Sequence, residues 1–132
     1  MKLWRIELKS KKEYKSAKIY LERMLDHVDK VEKYKEGLTF EVFSKQEQDY
    51  DAICMQLSQL GENVAKVESS PDRILETFPA AIKWKALKGL RNRIDHDYTW
   101  LESERVWEML EDEMSDLKDG IKLILKKRYG ES

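Results

Sequence analysis

The stretch LRNRIDHDY, residues 90–98, gathers side chains that bind phosphate and move protons. Arg91, His96 and Tyr98 follow the order R-x4-H-x-Y, and Asn92 comes directly after the arginine. An imidazole, with an unperturbed pKa of about 6.5, can give or take a proton near neutrality. A guanidinium forks onto phosphate oxygens bidentately. Together these groups equip a chain to cut RNA without a metal. Attack by a 2′-hydroxyl on its own phosphate needs a base, an acid for the leaving oxygen and a cation beside the crowded charge.

Placed on a helix, the motif divides. Successive residues turn by roughly 100°, so Asn92 and His96 share a face while Arg91 and His96 diverge by about 140°. Guanidinium and imidazole converge only if the helix ends or distorts near His96, or if a second copy of the chain supplies the other half. A twofold dimer would put two Arg91 and two His96 around one cleft. Spacing alone is weak evidence, because arginine and histidine recur at such separations in many helices.

Other chemistries have less support. Asp95, His96 and Asp97 are consecutive, so their side chains splay apart and close poorly on one metal ion. HExxH and CxxC patterns, Gly-rich phosphate loops and a GxSxG elbow are all missing, so no metal site is expected. The other histidine, His27, flanks an apolar stripe and reads as a boundary residue. Cys54, the single cysteine, rules out an intrachain disulfide and reads as a small buried hydrophobe. No run approaches a membrane span and the N-terminus lacks a signal-peptide core, so a cytoplasmic protein is expected.

Charged residues make up 39% of the 132 residues, yet the formal net charge is −1. No general basic field can draw nucleic acid; a local patch must do so. One candidate exists. From Thr77 through Ile94 no acid occurs, while Lys83, Lys85, Lys88, Arg91 and Arg93 are basic. Lys85, Lys88 and Arg93 are the RNA-contact candidates. The next helix is acidic, with Glu102, Glu104, Glu108, Glu111, Asp112, Glu113, Asp116 and Asp119. The alternative reading is that these two helices lie side by side and pair their charges.

The elements that must position the motif are helical, since strand-like alternation is nearly absent. Tyr14, Ala17, Leu21, Met24, Val28 and Val31 mark a first helix, which Gly37 ends in left-handed geometry. LTFEVFS reads as a hydrophobic connector, and Ser44 with Glu47 has capping-box spacing for a second helix. Tyr50, Ile53, Cys54, Leu57, Leu60, Val64 and Val67 form its stripe. Pro71 and Pro79 bracket a short helix, DRILETF. A fourth runs from Ile82 or Trp84 through Leu87, Leu90 and Ile94 into the motif. After a polar turn around Tyr98 to Glu102, a fifth carries Val106, Leu110, Leu117, Ile121 and Ile124. An all-α protein is expected, a single domain over residues 1–132 built as an antiparallel bundle of four to five helices.

The order of features resembles the HepT-like toxins of the HEPN superfamily. The carrying stretches are YKEGLTFEVFSKQEQDYDAI, LGENVAK, FPAAIKWKALKGLRNRIDHDY and ESERVWEMLEDEMSDLKDGI, spanning about Leu21 to Leu125. Residues 1–18 lie largely outside the resemblance. It implies a homodimer whose motifs line a shared cleft, and metal-independent endoribonuclease activity of a toxin in a type VII-like toxin–antitoxin pair. Arg91 and His96 fall on the catalytic positions and Asn92 on the supporting polar one. The resemblance also implies a partner, a minimal nucleotidyltransferase (MNT) antitoxin that transfers AMP from ATP to Tyr98. The chain itself would need no cofactor, and its substrate would be tRNA or mRNA. Added phosphates would bring bulk and negative charge to the RNA cleft.

Two acids depart from the family pattern. Asp97 stands where glycine is usual, and Asp95 precedes His96; both favour the protonated imidazole and oppose RNA. They leave open a catalytically inactive helical partner that docks a nucleotidyltransferase or presents Tyr98 to it. A nucleic-acid-binding regulator that does not cleave is also open. Tyr98, close to Trp100, reads as a packing residue on its own and as an accessible hydroxyl in the light of the family.

Overall fold

The computed structural model describes residues 16–96 and 103–131, and every regular element among them is α-helical. Helix α1 (Lys18–Lys35) opens just after Ser16, whose hydroxyl accepts the Lys18 amide at 3.1 Å. Leu21, Met24, Val28 and Val31 are fully buried, so the predicted stripe is its core face. Gly37, at φ +79°, reverses the chain after it, as expected. Tyr14 lies outside the described residues, as do Asp97, Tyr98, Trp100 and Glu102.

The connector is more ordered than its sequence implies. Phe40–Lys45 forms helix α2, capped by Thr39, whose hydroxyl accepts the Val42 amide at 3.2 Å. Ser44 lies inside α2 and donates to the Glu41 carbonyl, so it does not cap the next helix. Helix α3 (Glu47–Ser69) begins later than a Ser44 cap would place it, and with no side-chain cap. Tyr50, Ile53, Cys54, Leu57, Leu60, Val64 and Val67 are all buried on it.

The short helix after Pro71 starts later than predicted. Helix α4 spans Ile74–Thr77, entered through Arg73 at φ +57°. Asp72 is drawn away to the start of α1. Its Oδ2 accepts the Ala17 amide at 3.0 Å, the Ser16 hydroxyl at 3.1 Å and the Tyr129 hydroxyl. One carboxylate thus joins both ends of the described chain.

The fourth and fifth predicted helices are each two. Helices α5 (Trp84–Lys88) and α6 (Leu90–His96) meet at Gly89. Gly89 still bonds back to Lys85 at 3.2 Å, and Arg93 to Gly89 at 3.1 Å. The Leu87 carbonyl and Arg91 amide, which would pair in a continuous helix, instead lie against Gly61 of α3. Helices α7 (Ser103–Asp112) and α8 (Met114–Tyr129) meet at Glu113, whose φ of −118° breaks the helix. Apolar spacing survives both breaks, which is why the sequence reads through them.

Cross-links fix the directions. Lys18 pairs with Glu131 at one end of α1, and Lys118 with Asp29 and Glu32 near the other, so α8 runs antiparallel to α1. Tyr20 lies under Lys66, and His27 meets Gln56, so α3 is antiparallel to α1 as well. Arg91 faces Glu62 and Lys88 faces Glu68, which sets α5 and α6 antiparallel to α3. The result is the expected all-α antiparallel bundle, with the motif helix on its surface.

Candidate functional site

Helix α6 is only seven residues long, and α3 holds it in place. A Cβ on Gly61 would sit 2.7 Å from the Leu87 carbonyl oxygen and 3.1 Å from the Arg91 amide nitrogen. Only glycine lets the two backbones come this close. Leu90 is buried and Ile94 half-buried beneath α6, while Arg91, Asn92, Asp95 and His96 are exposed.

The helix shows three flanks. On the α3 side lie Arg91 and Asp95, one turn apart. Arg91 Nη1 is 3.5 Å from Glu62 Oε2, and its Nε is 3.7 Å from Asp95 Oδ2. The outward face carries Asn92 and His96, also one turn apart. Arg93 is on the remaining flank. Its Nη2 donates to the Ala86 carbonyl at 2.6 Å, capping the C-terminal end of α5. It also walls a cavity of about 480 Å³ between α5, α6, α7 and α8, lined by Lys83, Leu87, Leu90, Met109 and Leu117 among others.

Asn92, Arg93 and Lys85 line one open groove of about 990 Å³, together with Trp84, whose Nε1 donates to the Phe78 carbonyl at 2.9 Å. These three candidates are therefore brought together. Lys88 is not among them; it pairs with Glu68 of α3. Arg91 and His96 stand on one continuous α-helix, so within a chain they face different ways by the 100° rule. Tyr98, the expected site of nucleotide attachment, lies outside the described residues.

The basic run does not simply zip against the acidic helix. Lys83 does so, meeting Glu113 at 2.8 Å, and this pairing holds its ammonium above the ordinary lysine range. Lys88 and Arg91 turn to α3 instead. The acidic helices find partners on α1: Glu111 meets Lys35 at 3.4 Å, and Lys118 sits between Asp29 and Glu32. No ion pair engages Lys85 among the described residues.

The remaining candidates are structural. His27 Nδ1 meets Gln56 Oε1 at 2.7 Å, half-buried between α1 and α3. Cys54 is buried, and burial pushes its thiol up to about 11, which keeps it un-ionised and unreactive. No group of three metal-ligating side chains occurs among the described residues. Among them no helix is long and apolar enough to cross a membrane. Sequence reasoning missed Glu62 as a neighbour of Arg91; the two are 29 positions apart, and the close packing of α6 on α3 at Gly61 brings them together.

The antiparallel all-α bundle is consistent with the HEPN-like fold that the sequence resembles. The HepT-like ribonuclease family matches residues 24–124, and the chain belongs to that family. Its relatives include a protein of Caldanaerobacter subterraneus subsp. tengcongensis named "Putative RNase TTE0752". That protein is 27% identical over 113 residues, which cover 86% of this chain and 97% of the relative. A Methanocaldococcus jannaschii protein named "Putative RNase MJ0127" is 25% identical over 118 residues, 89% of this chain and 93% of its own. A second from that organism, "Putative RNase MJ1216", is 27% identical over 112 residues, 85% and 89% of the two chains. No solved structure matches the chain.

Proposed function

We propose that the protein is a metal-independent endoribonuclease, the toxin of a type VII-like pair with an MNT antitoxin, working as a homodimer. The observation that carries this reading is the exposure of Arg91 and His96 on a short continuous helix. Their divergence there leaves one chain with half a site, and a twofold copy supplies the other half. In the shared cleft one imidazole takes the proton of a 2′-hydroxyl as its oxygen attacks phosphorus. The other, as imidazolium, protonates the departing 5′-oxygen, and a 2′,3′-cyclic phosphate remains. Arg91 faces the charge that builds on the non-bridging oxygens. Asn92 and Lys85, in the neighbouring groove, hold the strand.

In the same reading the antitoxin uses ATP to place AMP on Tyr98. The phenol oxygen attacks the α-phosphorus and pyrophosphate leaves. The added phosphate then occupies ground that substrate phosphate needs.

The test is purified, unmodified protein incubated with total tRNA and an mRNA in EDTA. Wild-type protein cleaves and His96→Ala does not, with the same circular dichroism and melting curve. Intact RNA after wild-type treatment sinks the ribonuclease reading. One observation favours the second reading, an inactive partner that presents Tyr98: Arg91 lies between two carboxylates, Glu62 and Asp95. Under that reading wild-type protein leaves RNA whole but still gains AMP at Tyr98.

A further inference from the structure

We infer that Glu62 is a positioning residue for Arg91: from the long helix α3 it holds the guanidinium in the orientation from which Arg91 meets phosphate. This rests on the ribonuclease reading above. Arg91 stands 55% exposed on a seven-residue helix, and a side chain with that much freedom spreads over many rotamers. Glu62 has far less freedom. Its side chain is 33% exposed, its neighbours Gly61 and Asn63 are buried, and its helix runs from Glu47 to Ser69. The Gly61 contact fixes the backbone of Arg91 against the backbone beside Glu62.

The two carboxylates engage different nitrogens from different helices. Glu62 takes Nη1 from α3, and Asp95 takes Nε from within α6. Two such contacts orient a planar group where one would leave it free to swing. A guanidinium has five N–H donors, so donors remain for a phosphate. An ion pair this exposed adds little to the stability of the fold, which makes orientation the effect to look for. The opposing possibility is that Glu62 merely repels phosphate, and the same variants separate the two.

The experiment compares full-length wild type, Glu62→Ala and Glu62→Gln in steady-state cleavage of an RNA oligonucleotide, with Arg91 Nε–Hε followed by heteronuclear NOE. Misplacing a group that meets the transition state costs about 10- to 100-fold. Glu62→Ala should lower kcat by that factor with KM changed less than about 3-fold. Glutamine keeps a side-chain carbonyl oxygen at the same reach toward Arg91, so Glu62→Gln should stay within about 5-fold of wild type. The Arg91 NOE should fall in the alanine variant and persist in the glutamine one. A Glu62→Ala enzyme with kcat unchanged or raised, a fall in KM alone, or an unaltered NOE overturns the inference and leaves the ribonuclease reading standing. Wild-type protein that does not cleave overturns both.

Discussion

Replacing Gly61 by alanine adds one methyl at the point where α3 touches α6. That carbon would lie 2.7 Å from the Leu87 carbonyl oxygen, whereas ordinary contact begins near 3.4 Å. The obstacle is backbone, so no side chain can swing aside, and the helices must part by roughly 0.7 Å. Overpacking of this kind costs about 1–3 kcal/mol. Against this, alanine in a helix interior is favoured over glycine by about 0.5–1 kcal/mol. The balance is a loss centred on about 1 kcal/mol and reaching about 2.5, or about 4 °C in Tm at its centre for a chain of this size. Thermal unfolding followed by circular dichroism measures it. The same displacement moves Arg91, so RNA cleavage should fall by about 10-fold even at temperatures where the variant is fully folded. A Gly61→Ala protein that melts at or above the wild-type temperature would refute the reasoning. The gain in helix propensity would then stand alone, and the two backbones would not be in contact.

Three further outcomes follow from the same structure. Asp72→Asn should lower stability by about 1–2 kcal/mol at pH 7, because Ala17, Ser16 and Tyr129 all donate to that carboxylate. Burial pulls the Asp72 carboxyl up, but the bonds from Tyr129, Ala17 and Ser16, with the charge of Arg128, outweigh it and hold it below the ordinary value of 3.8. The difference from wild type should therefore be steady through neutrality and close as pH falls below about 4, in chemical denaturation at several pH values. Tyr129 is held above its ordinary value of 10.0 by burial and by Asp72, so its share is present below pH 10 and is lost at higher pH. In fluorescence polarisation on a His96→Ala background, Lys85→Ala should weaken RNA binding and lower the salt slope by about one. Lys88→Ala and Arg93→Ala should do less, being already engaged by Glu68 and the Ala86 carbonyl. Co-expression with an MNT nucleotidyltransferase should add AMP in whole multiples by intact mass, and Tyr98→Phe should abolish the gain.

Much of the bundle was legible in the sequence because burial repeats at helical spacing. The stripes from Leu21 to Val31 and from Tyr50 to Val67 are buried residue for residue. Breaks were not legible. Gly89 and Glu113 interrupt helices whose apolar spacing continues past them, and a single glycine or acid carries no sign of the break. Nor was Ser44: its spacing to Glu47 fits a capping box, yet Thr39 captures the chain first and folds Ser44 into α2. At the site, the divergence of Arg91 and His96 was visible in their five-residue separation. The carboxylate beside Arg91 was not, because Glu62 reaches it through a contact that requires the absence of a side chain at Gly61. Asp95, one turn from Arg91, also stands 3.7 Å from its Nε, a contact that the i,i+4 spacing allows.

Subunit mixing tests the central claim, a single site built from two chains. Wild-type and His96→Ala chains, refolded together in equal amounts, should keep about one quarter of the wild-type cleavage, because only wild-type pairs carry both imidazoles. Retention of about one half would mean that each chain cuts RNA alone, and the shared cleft would be contradicted.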